Sequence, residues 1–181
     1  MSDRKITELE LHNFKCHIDF KQKLSELTLL SGSNATGKSS MIQSILMAHS
    51  AWNEAERKRI YTRNIWGNYM GKASTIISEE HESDIVDISV YINDYENKAS
   101  LKLPPVEEDS IYFDIENYEE IIEKLRNRDL ATLNNINIFY INAERFGSRV
   151  VSEICEIDGY YVGTHGENTN YLIAKMDEEQ K

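Results

Sequence analysis

Residues 27–40, which read LTLLSGSNATGKSS, decide the fold of this chain. Four residues of this stretch have the spacing G-x-x-x-x-G-K-[ST] of a phosphate-binding P-loop, or Walker A motif: Gly32, Gly37, Lys38 and Ser39. The apolar run at residues 27–30 predicts a strand before the loop, and the pattern that starts at Gly37 predicts a helix after it. Because the motif needs a strand–loop–helix context, the stretch predicts a nucleotide site rather than a simple Gly/Ser turn.

The loop residues have roles that follow from the chemistry of phosphate binding. Successive backbone N–H groups at the start of a helix form a positively polarised nest for an anion. Lys38 is expected to reach the β- and γ-phosphate oxygens, Ser39 to bind Mg²⁺ through its hydroxyl, and Ser40 to bond the α-phosphate. The predicted nucleotide-binding residues of the loop are Gly32, Ser33, Asn34, Ala35, Thr36, Gly37, Lys38, Ser39 and Ser40.

Hydrophobic periodicity on both sides of the loop predicts further helices and strands. Residues 6–14 and 17–20 read as two strands before the P-loop strand, which suggests an antiparallel ribbon beside a parallel core. A helix with one buried face follows the loop, and its spacing groups Met41, Ile42, Ile45, Leu46 and Ala48. Downstream, the patterns predict a hairpin at 85–92 and 99–103, strands at 111–115 and 136–141, and helices at 117–133 and 168–176.

The predicted fold class is α/β, a P-loop core with parallel strands plus an antiparallel β ribbon. A chain of 181 residues is long enough for one domain with a core of its own. We interpret residues 1–181 as a single lobe, residues 60–83 as an irregular connection and residues 177–181 as a solvated tail.

Composition limits the partners and the compartment. A net charge of −11 argues against a chain whose whole surface binds nucleic acid, because phosphate neutralisation needs clustered Lys and Arg. The basic run Arg57-Lys58-Arg59 leaves a local nucleic-acid contact open, with a solvated helix end as the alternative. Two cysteines favour a reducing compartment, and no apolar run has the length of a signal peptide or a membrane span. We therefore expect a cytoplasmic protein with no membrane partner.

Other candidate sites are weaker. His12, Cys16 and His17 resemble a metal-ligand group, but a strand would place their side chains on different faces. Asp114 and Glu144 follow strand-like runs and are candidates for the acidic residue that holds magnesium, although each also reads as a solvated carboxylate. The sequence assigns no catalytic residue.

Two segments carry a resemblance to a known family. ITELELHNFKCHIDF at 6–20 and LSELTLLSGSNATGKSSMIQSI at 24–45 resemble the start of ABC-type ATPase heads of the RecF/SMC-like group, with Asn13-Phe14-Lys15 and Asn34 at the matching places. FYINAERFGSR at 139–149 and VGTHGENTNYLI at 162–173 resemble a bacterial subset of AAA-family ATPases. Members of that subset occur in anti-phage and retron-associated systems, often beside a nuclease.

The resemblance implies the N-terminal lobe of an ABC-ATPase head, with ATP and Mg²⁺ as cofactors and Lys15 near the nucleotide. Residues 142–145 would occupy the place of the Q-loop, although no Gln is there. After Ile173 no signature Ser-Gly element, second acidic strand or switch histidine is recognisable. We therefore expect the first half of an ATPase head, as a truncated chain or a shortened gene product. Its expected partners are the C-terminal half of a head or a second protomer, with a nuclease as a further partner.

Three functions compete at this point. The leading prediction is an ATP-binding lobe whose hydrolysis needs the missing C-terminal half and a dimer partner. The alternative is a protein-interaction module with a vestigial nucleotide site. A self-sufficient small P-loop kinase is the third, favoured by Arg145 and Arg149 but opposed by the lack of an Arg-rich lid.

Overall fold

Six strands form one sheet in the computed structural model, which describes residues 4–63, 65–80, 83–105, 110–127, 131–142, 162–163 and 165–179. The strands are β1 (Ile6–Phe14), β2 (His17–Lys23), β3 (Arg59–Tyr61), β4 (Ile85–Ile92), β5 (Tyr95–Lys102) and β6 (Tyr112–Ile115). Their order across the sheet is β2-β1-β4-β5-β6-β3, and every pairing between these strands is antiparallel. The chain divides into two units, Met1–Ile136 and Asn137–Lys181, and the sheet belongs to the first.

Local sequence explains the two hairpins of the sheet, and both predictions are confirmed. In β4 and β5 the apolar residues alternate, so that Val86 pairs with Leu101 and Ile88 with Ala99 on one buried face. The connecting residues Asn93 and Asp94 have φ values of 47° and 70°, the conformation that a tight two-residue hairpin turn requires. The β1–β2 ribbon likewise forms where the alternating pattern at residues 6–20 predicted it.

The helix that follows the P-loop covers the inner face of the sheet. This helix, α1 (Lys38–Asn53), contacts β1, β4 and β5. Its C-terminal half buries Trp52 completely, and the indole Nε1 donates a hydrogen bond to the carbonyl oxygen of Lys98 at 3.2 Å. The buried side chains between helix and sheet include Leu9, Leu11, Leu46, Met47, Ala48, Ala51, Val90 and Ile92.

Two predictions about helices need correction. Ile42 was expected on the buried face of α1, but its side chain is 43% exposed, because the sheet covers the face that carries Ser44, Met47 and Ala51. The helix expected over 117–133 is the shorter α2 (Tyr118–Arg126), and a separate 3₁₀ turn occupies Leu133–Asn135.

The region expected to be irregular, residues 60–83, contains the end of β3 and a 3₁₀ turn at Ala73–Thr75.

The strands expected at residues 27–30 and 136–141 are absent, so these predictions are wrong for the described structure. Leu27 and Leu29 are 86% and 87% exposed, and Phe139 is 70% exposed. Among the described residues no strand pairs with either segment, and a single strand cannot satisfy its own N–H and C=O groups. The predicted parallel pairing therefore does not occur among the strands described here.

The second unit contributes one described helix, α3 (Thr169–Glu179), slightly longer than the predicted 168–176. A turn precedes this helix, in which Gly163 and Gly166 have positive φ values of 83° and 74°. The Thr169 hydroxyl donates a hydrogen bond to the carbonyl oxygen of Gly166 at 2.7 Å, and this bond joins the turn to the first residue of the helix.

Candidate nucleotide-binding site

The backbone of residues 32–37 has the path that a phosphate-binding loop needs. Gly32, Ala35 and Gly37 have φ values of 148°, 64° and 83°. A Cβ at Gly37 would lie 2.6 Å from Nε2 of His17 and 2.8 Å from Sγ of Cys16. The positive φ favours glycine at this position, and any larger residue would also have to displace the side chains of His17 and Cys16 in the β1–β2 turn.

The N-terminus of α1 opens towards this loop without a side-chain cap. Gly37 occupies the cap position and makes no side-chain hydrogen bond to the first turn, and the first helical bond runs from Met41 N to Gly37 O at 3.0 Å. The N–H groups of Lys38, Ser39 and Ser40 precede that bond, so they have no carbonyl of their own helix to bond. Such a turn attracts an anion through its N–H groups and through the helix dipole.

The ammonium group of Lys38 lies over the loop. Nζ donates hydrogen bonds to the Gly32 carbonyl oxygen at 2.9 Å, to the Thr36 hydroxyl at 3.2 Å and to the Ser33 carbonyl oxygen. Thr36 in turn donates from its hydroxyl to the Ser33 carbonyl oxygen at 2.9 Å. Among the described residues this cation bonds only to neutral acceptors, so its charge is available to a phosphate group.

A cavity of about 360 Å³ lies at this end of the helix. That volume is within the range of ligand-binding pockets. Its wall is made by two segments that are distant in sequence, the β1–β2 turn and the loop with the first turn of α1. The lining residues are Lys15, Cys16, Asn34, Ala35, Thr36, Gly37, Lys38, Ser39 and Ser40. With Gly32 and Ser33, which contact Lys38, these residues include every position that the sequence predicted for the nucleotide, and in addition Cys16, which it did not predict.

Lys15 reaches the cavity from the β1–β2 turn. Its own φ is 52°, and that of Asn13, near the end of β1, is 57°, so two residues that are not glycine are left-handed here. Backbone hydrogen bonds hold this conformation, from Lys15 N to Ile76 O at 2.7 Å and from Ser78 N to Asn13 O at 2.9 Å. Burial lowers the pKa of the Lys15 ammonium from its usual value.

Comparison with known protein families agrees with this geometry. A family model described as an AAA ATPase domain matches residues 5–181. The chain belongs to this AAA ATPase family. No match was found among curated proteins. Membership implies a P-loop NTPase fold and nucleotide binding, in agreement with the loop, the uncapped helix and the lysine described above.

The structure of this AAA ATPase also places the remaining candidate residues. Asp114 lies on β6 and accepts a hydrogen bond from Arg59 Nε at 2.7 Å, so it belongs to the far side of the sheet and not to the loop cavity. Glu144, Arg145 and Arg149 lie outside the described residues. Within the part of the chain that is described, no carboxylate lines the loop cavity.

The candidate metal group does not assemble in this ATPase. His12 pairs through Nδ1 with Asp19, whereas His17 lies beside Gly37 and 4.5 Å from the ring of Phe20. Among the described residues, no three His, Cys, Asp or Glu side chains are arranged to hold a metal ion. The same described part of the chain contains no helix with the length and apolar character that a membrane crossing requires.

The basic run of the ATPase is largely engaged by its own neighbours. Arg57 pairs with Glu54 at 3.5 Å, and Lys58 lies 4.2 Å from the centre of the Tyr118 ring. Arg59 pairs with Asp114 and also lies over the ring of Tyr112 at 4.3 Å. The alternative interpretation of the run was a solvated helix end; Arg57 ends a 3₁₀ turn after α1, whereas Arg59 begins β3.

Sequence reasoning missed three residues at or beside the site: Cys16, which lines the cavity, His17 as a neighbour of Gly37, and Gln43 as a neighbour of Lys15. Oε1 of Gln43 accepts a hydrogen bond from Nζ of Lys15 at 2.6 Å. The spacing from Ser39 to Gln43 is four residues, which puts both on one face of a helix, so this neighbour had a signal in the sequence. The contact of His17 had none, because it depends on the path of the β1–β2 turn.

Proposed function

We propose that this chain binds Mg-ATP at the loop formed by residues 32–40, as the nucleotide-binding lobe of an ABC-type ATPase head. The observation that carries the proposal is the uncapped first turn of α1 facing a cavity that also contains the Lys38 ammonium. Backbone N–H groups and a lysine in one concave site suit a chain of phosphates better than any other common ligand.

The residues present fit a magnesium ion as well as the phosphates. The Ser39 side chain is exposed at the cavity, one residue after Lys38, and its hydroxyl is a hard oxygen ligand. Mg²⁺ keeps several waters when it binds a nucleotide, so a single protein hydroxyl beside the phosphates is sufficient for this mode. When bound, the ion would neutralise part of the phosphate charge, while Lys38 and the backbone N–H groups orient the chain of phosphates.

ATP turnover, in this proposal, depends on groups beyond those that line the cavity. The lining residues in the described part of the chain include cations and hydroxyls but no carboxylate to orient water. The resemblance to RecF/SMC-like heads suggests that such groups come from the C-terminal half of a head or from a second protomer, with ATP between them.

Exposed apolar side chains beside the loop support an association of this kind. Leu27 and Leu29 point into solvent immediately before the P-loop, although their spacing is that of a strand. A neighbouring apolar groove of about 590 Å³ runs between residues 24–30 and α1, where Met41, Ile42 and Ile45 line it. In the proposed head, these surfaces are covered by the C-terminal half or by the second protomer.

The biological setting is proposed from resemblance alone. The FYINAERFGSR and VGTHGENTNYLI segments resemble those of a bacterial subset of AAA-family ATPases that occur in anti-phage and retron-associated systems. We therefore place the chain in a bacterial defence or DNA-processing system, in which a nuclease would be a partner.

The proposed function is tested by measuring ATP affinity and turnover for the chain and for Lys38→Ala, with Lys23→Ala as a control. Lys23 is an exposed residue of β2 and lies outside the cavity. Binding that needs Mg²⁺, persists in Lys23→Ala and is lost in Lys38→Ala, with negligible turnover, supports the proposal. A chain that does not bind ATP would instead favour a protein-interaction module with a vestigial site. Rapid turnover by the monomer would contradict the proposed need for further groups.

A further inference from the structure

Lys15 is a half-buried cation whose polar partner is a neutral amide. Its Nζ donates to Oε1 of Gln43 at 2.6 Å, and in the described part of the chain no carboxylate pairs with it. The Phe14 ring lies 5.9 Å from Nζ. A buried ammonium normally requires an anionic partner, because neutral groups replace only part of its lost hydration. The positive charge of Lys15 is therefore held in place without being neutralised.

The position of this charge is set by contacts on both sides of the turn. The backbone of the turn is bonded to residues 76 and 78, and Asn13 Nδ2 donates to the Ile85 carbonyl oxygen at 3.1 Å. Gln43 approaches from α1, one helical turn beyond Ser39 and Ser40. Lys15 lines the same cavity as Ser39 and Ser40, which lie in the first turn of α1.

We propose that Gln43 is a positioning residue that holds the Lys15 ammonium at the cavity as a phosphate contact for the bound nucleotide. The inference rests on the proposed nucleotide site, near which the family resemblance already places Lys15, and it adds Gln43 as the residue that positions this cation. An amide at position 43 suits this task because its oxygen orients the ammonium group. A carboxylate at the same place would form an ion pair and cancel the charge that phosphate needs.

The test measures the Kd of ATP for four variants of the full chain: Lys15→Met, Gln43→Met, Gln43→Glu and the double variant Lys15→Met/Gln43→Met. Loss of one charge-assisted hydrogen bond predicts about a tenfold weaker affinity for Lys15→Met. Gln43→Glu keeps the shape of the side chain and is expected to weaken binding at least as much. If Gln43 acts through Lys15, Gln43→Met weakens binding in the wild type but has no further effect in Lys15→Met.

Salt dependence separates a role in binding from a role in folding. Raising ionic strength is expected to weaken ATP binding more steeply in the wild type than in Lys15→Met or Gln43→Glu, because one cation fewer faces the phosphates. Urea unfolding of each variant establishes that it is folded in the binding assay. If the methionine variants are unstable, the Kd of ATP and its salt dependence in Gln43→Glu test the inference.

Three results would overturn the inference. Full additivity of Lys15→Met and Gln43→Met would show that Gln43 does not act through Lys15. Unchanged Kd values in all four variants, alongside loss of binding in Lys38→Ala, would remove Lys15 from the site while leaving the ATP site intact. Failure of the wild type to bind ATP would overturn this inference and the proposed function together.

Discussion

Nε2 of His17 lies 3.4 Å from the carbonyl oxygen of Gly37, so the β1–β2 turn packs directly against the last residue of the P-loop. A Cβ at position 37 would lie 2.6 Å from the imidazole, so the side chains of His17 and Cys16 would have to shift to accommodate it. The nucleotide site is therefore built by two segments: the loop provides the phosphate nest and the turn closes the cavity behind it.

Gly37→Ala is expected to lose ATP binding and to destabilise the chain. The left-handed backbone costs an alanine about 1–2 kcal/mol, and the clash with His17 and Cys16 adds to that cost. Gly166→Ala is the matched control, because Gly166 has a similar φ of 74° but an added Cβ would lie at an ordinary 3.5 Å from the nearest atom, Oγ1 of Thr169. Urea denaturation and ATP titration of both variants measure the difference. Equal losses of stability would contradict the steric argument.

Ser39→Ala is expected to weaken ATP binding about tenfold in the presence of Mg²⁺, because one oxygen ligand of the ion is removed. The affinity measured with a chelator present should remain unchanged. Ser40→Ala serves as the control, since its hydroxyl is assigned to phosphate and its removal should weaken binding with and without the metal. Titrations of both variants in Mg²⁺ and in chelator check the prediction. A Ser39→Ala variant with wild-type dependence on Mg²⁺ would remove Ser39 from the metal site.

Asn97→Ala is expected to lower the free energy of unfolding by about 2–4 kcal/mol. The Asn97 side chain is fully buried, where Oδ1 accepts from Leu133 N at 2.8 Å and Nδ2 donates to Ala131 O at 3.0 Å. Without the amide, both backbone groups lose these bonds in the interior. Lys102→Ala, on the exposed face of the same strand, removes only a surface ion pair with Glu116 at 3.6 Å and should cost under about 1 kcal/mol. Chemical denaturation measures the free energy of unfolding of both variants. Equal values for the two variants would contradict this prediction.

Tyr91 is expected to titrate at a pKa of about 12, above the usual 10.0, because of burial and of the hydrogen bond that it donates to Glu10 at 3.0 Å. Since the folded state retains the proton up to a higher pH than the unfolded state, stability falls as pH rises from about 10 to about 12. Tyr91→Phe should lack this part of the decline. Ultraviolet titration of tyrosinate in both proteins measures the ionisation of Tyr91. Identical titration curves above pH 10 would refute the raised pKa of Tyr91.

Replacing Leu27 and Leu29 with Ser is expected to leave the free energy of unfolding within about 0.5 kcal/mol of the wild type. Both side chains are more than four-fifths exposed, so little apolar contact is lost. Burial in a strand of the core would instead make each change cost about 2–5 kcal/mol. Leu9→Ser, in a fully buried position of β1, supplies the matched control. Denaturation curves show whether Leu27 and Leu29 are exposed or are buried in a strand of the core. Sedimentation shows whether the exposed leucines drive self-association.

The local parts of this fold were predictable because their signals lie within a few residues. Alternation at residues 6–14 and 85–92 requires only that one face of a strand be buried, and both strands form where it occurs. At residues 27–30 the same kind of signal fails, because a strand also needs a partner and the pattern cannot supply one. Ile42 was misplaced for a related reason: spacing defines a helix face, but the sheet determines how much of it is covered.

The sequence by itself determined the P-loop, since its glycines, lysine and serine act through backbone conformation and spacing inside one short segment. Only the tertiary structure decided what faces that loop. Lys15 meets Gln43 across 28 residues, and His17 meets Gly37 across 20. Such contacts arise from the path of the β1–β2 turn and from the packing of α1 on the sheet, which depend on interactions throughout the first unit.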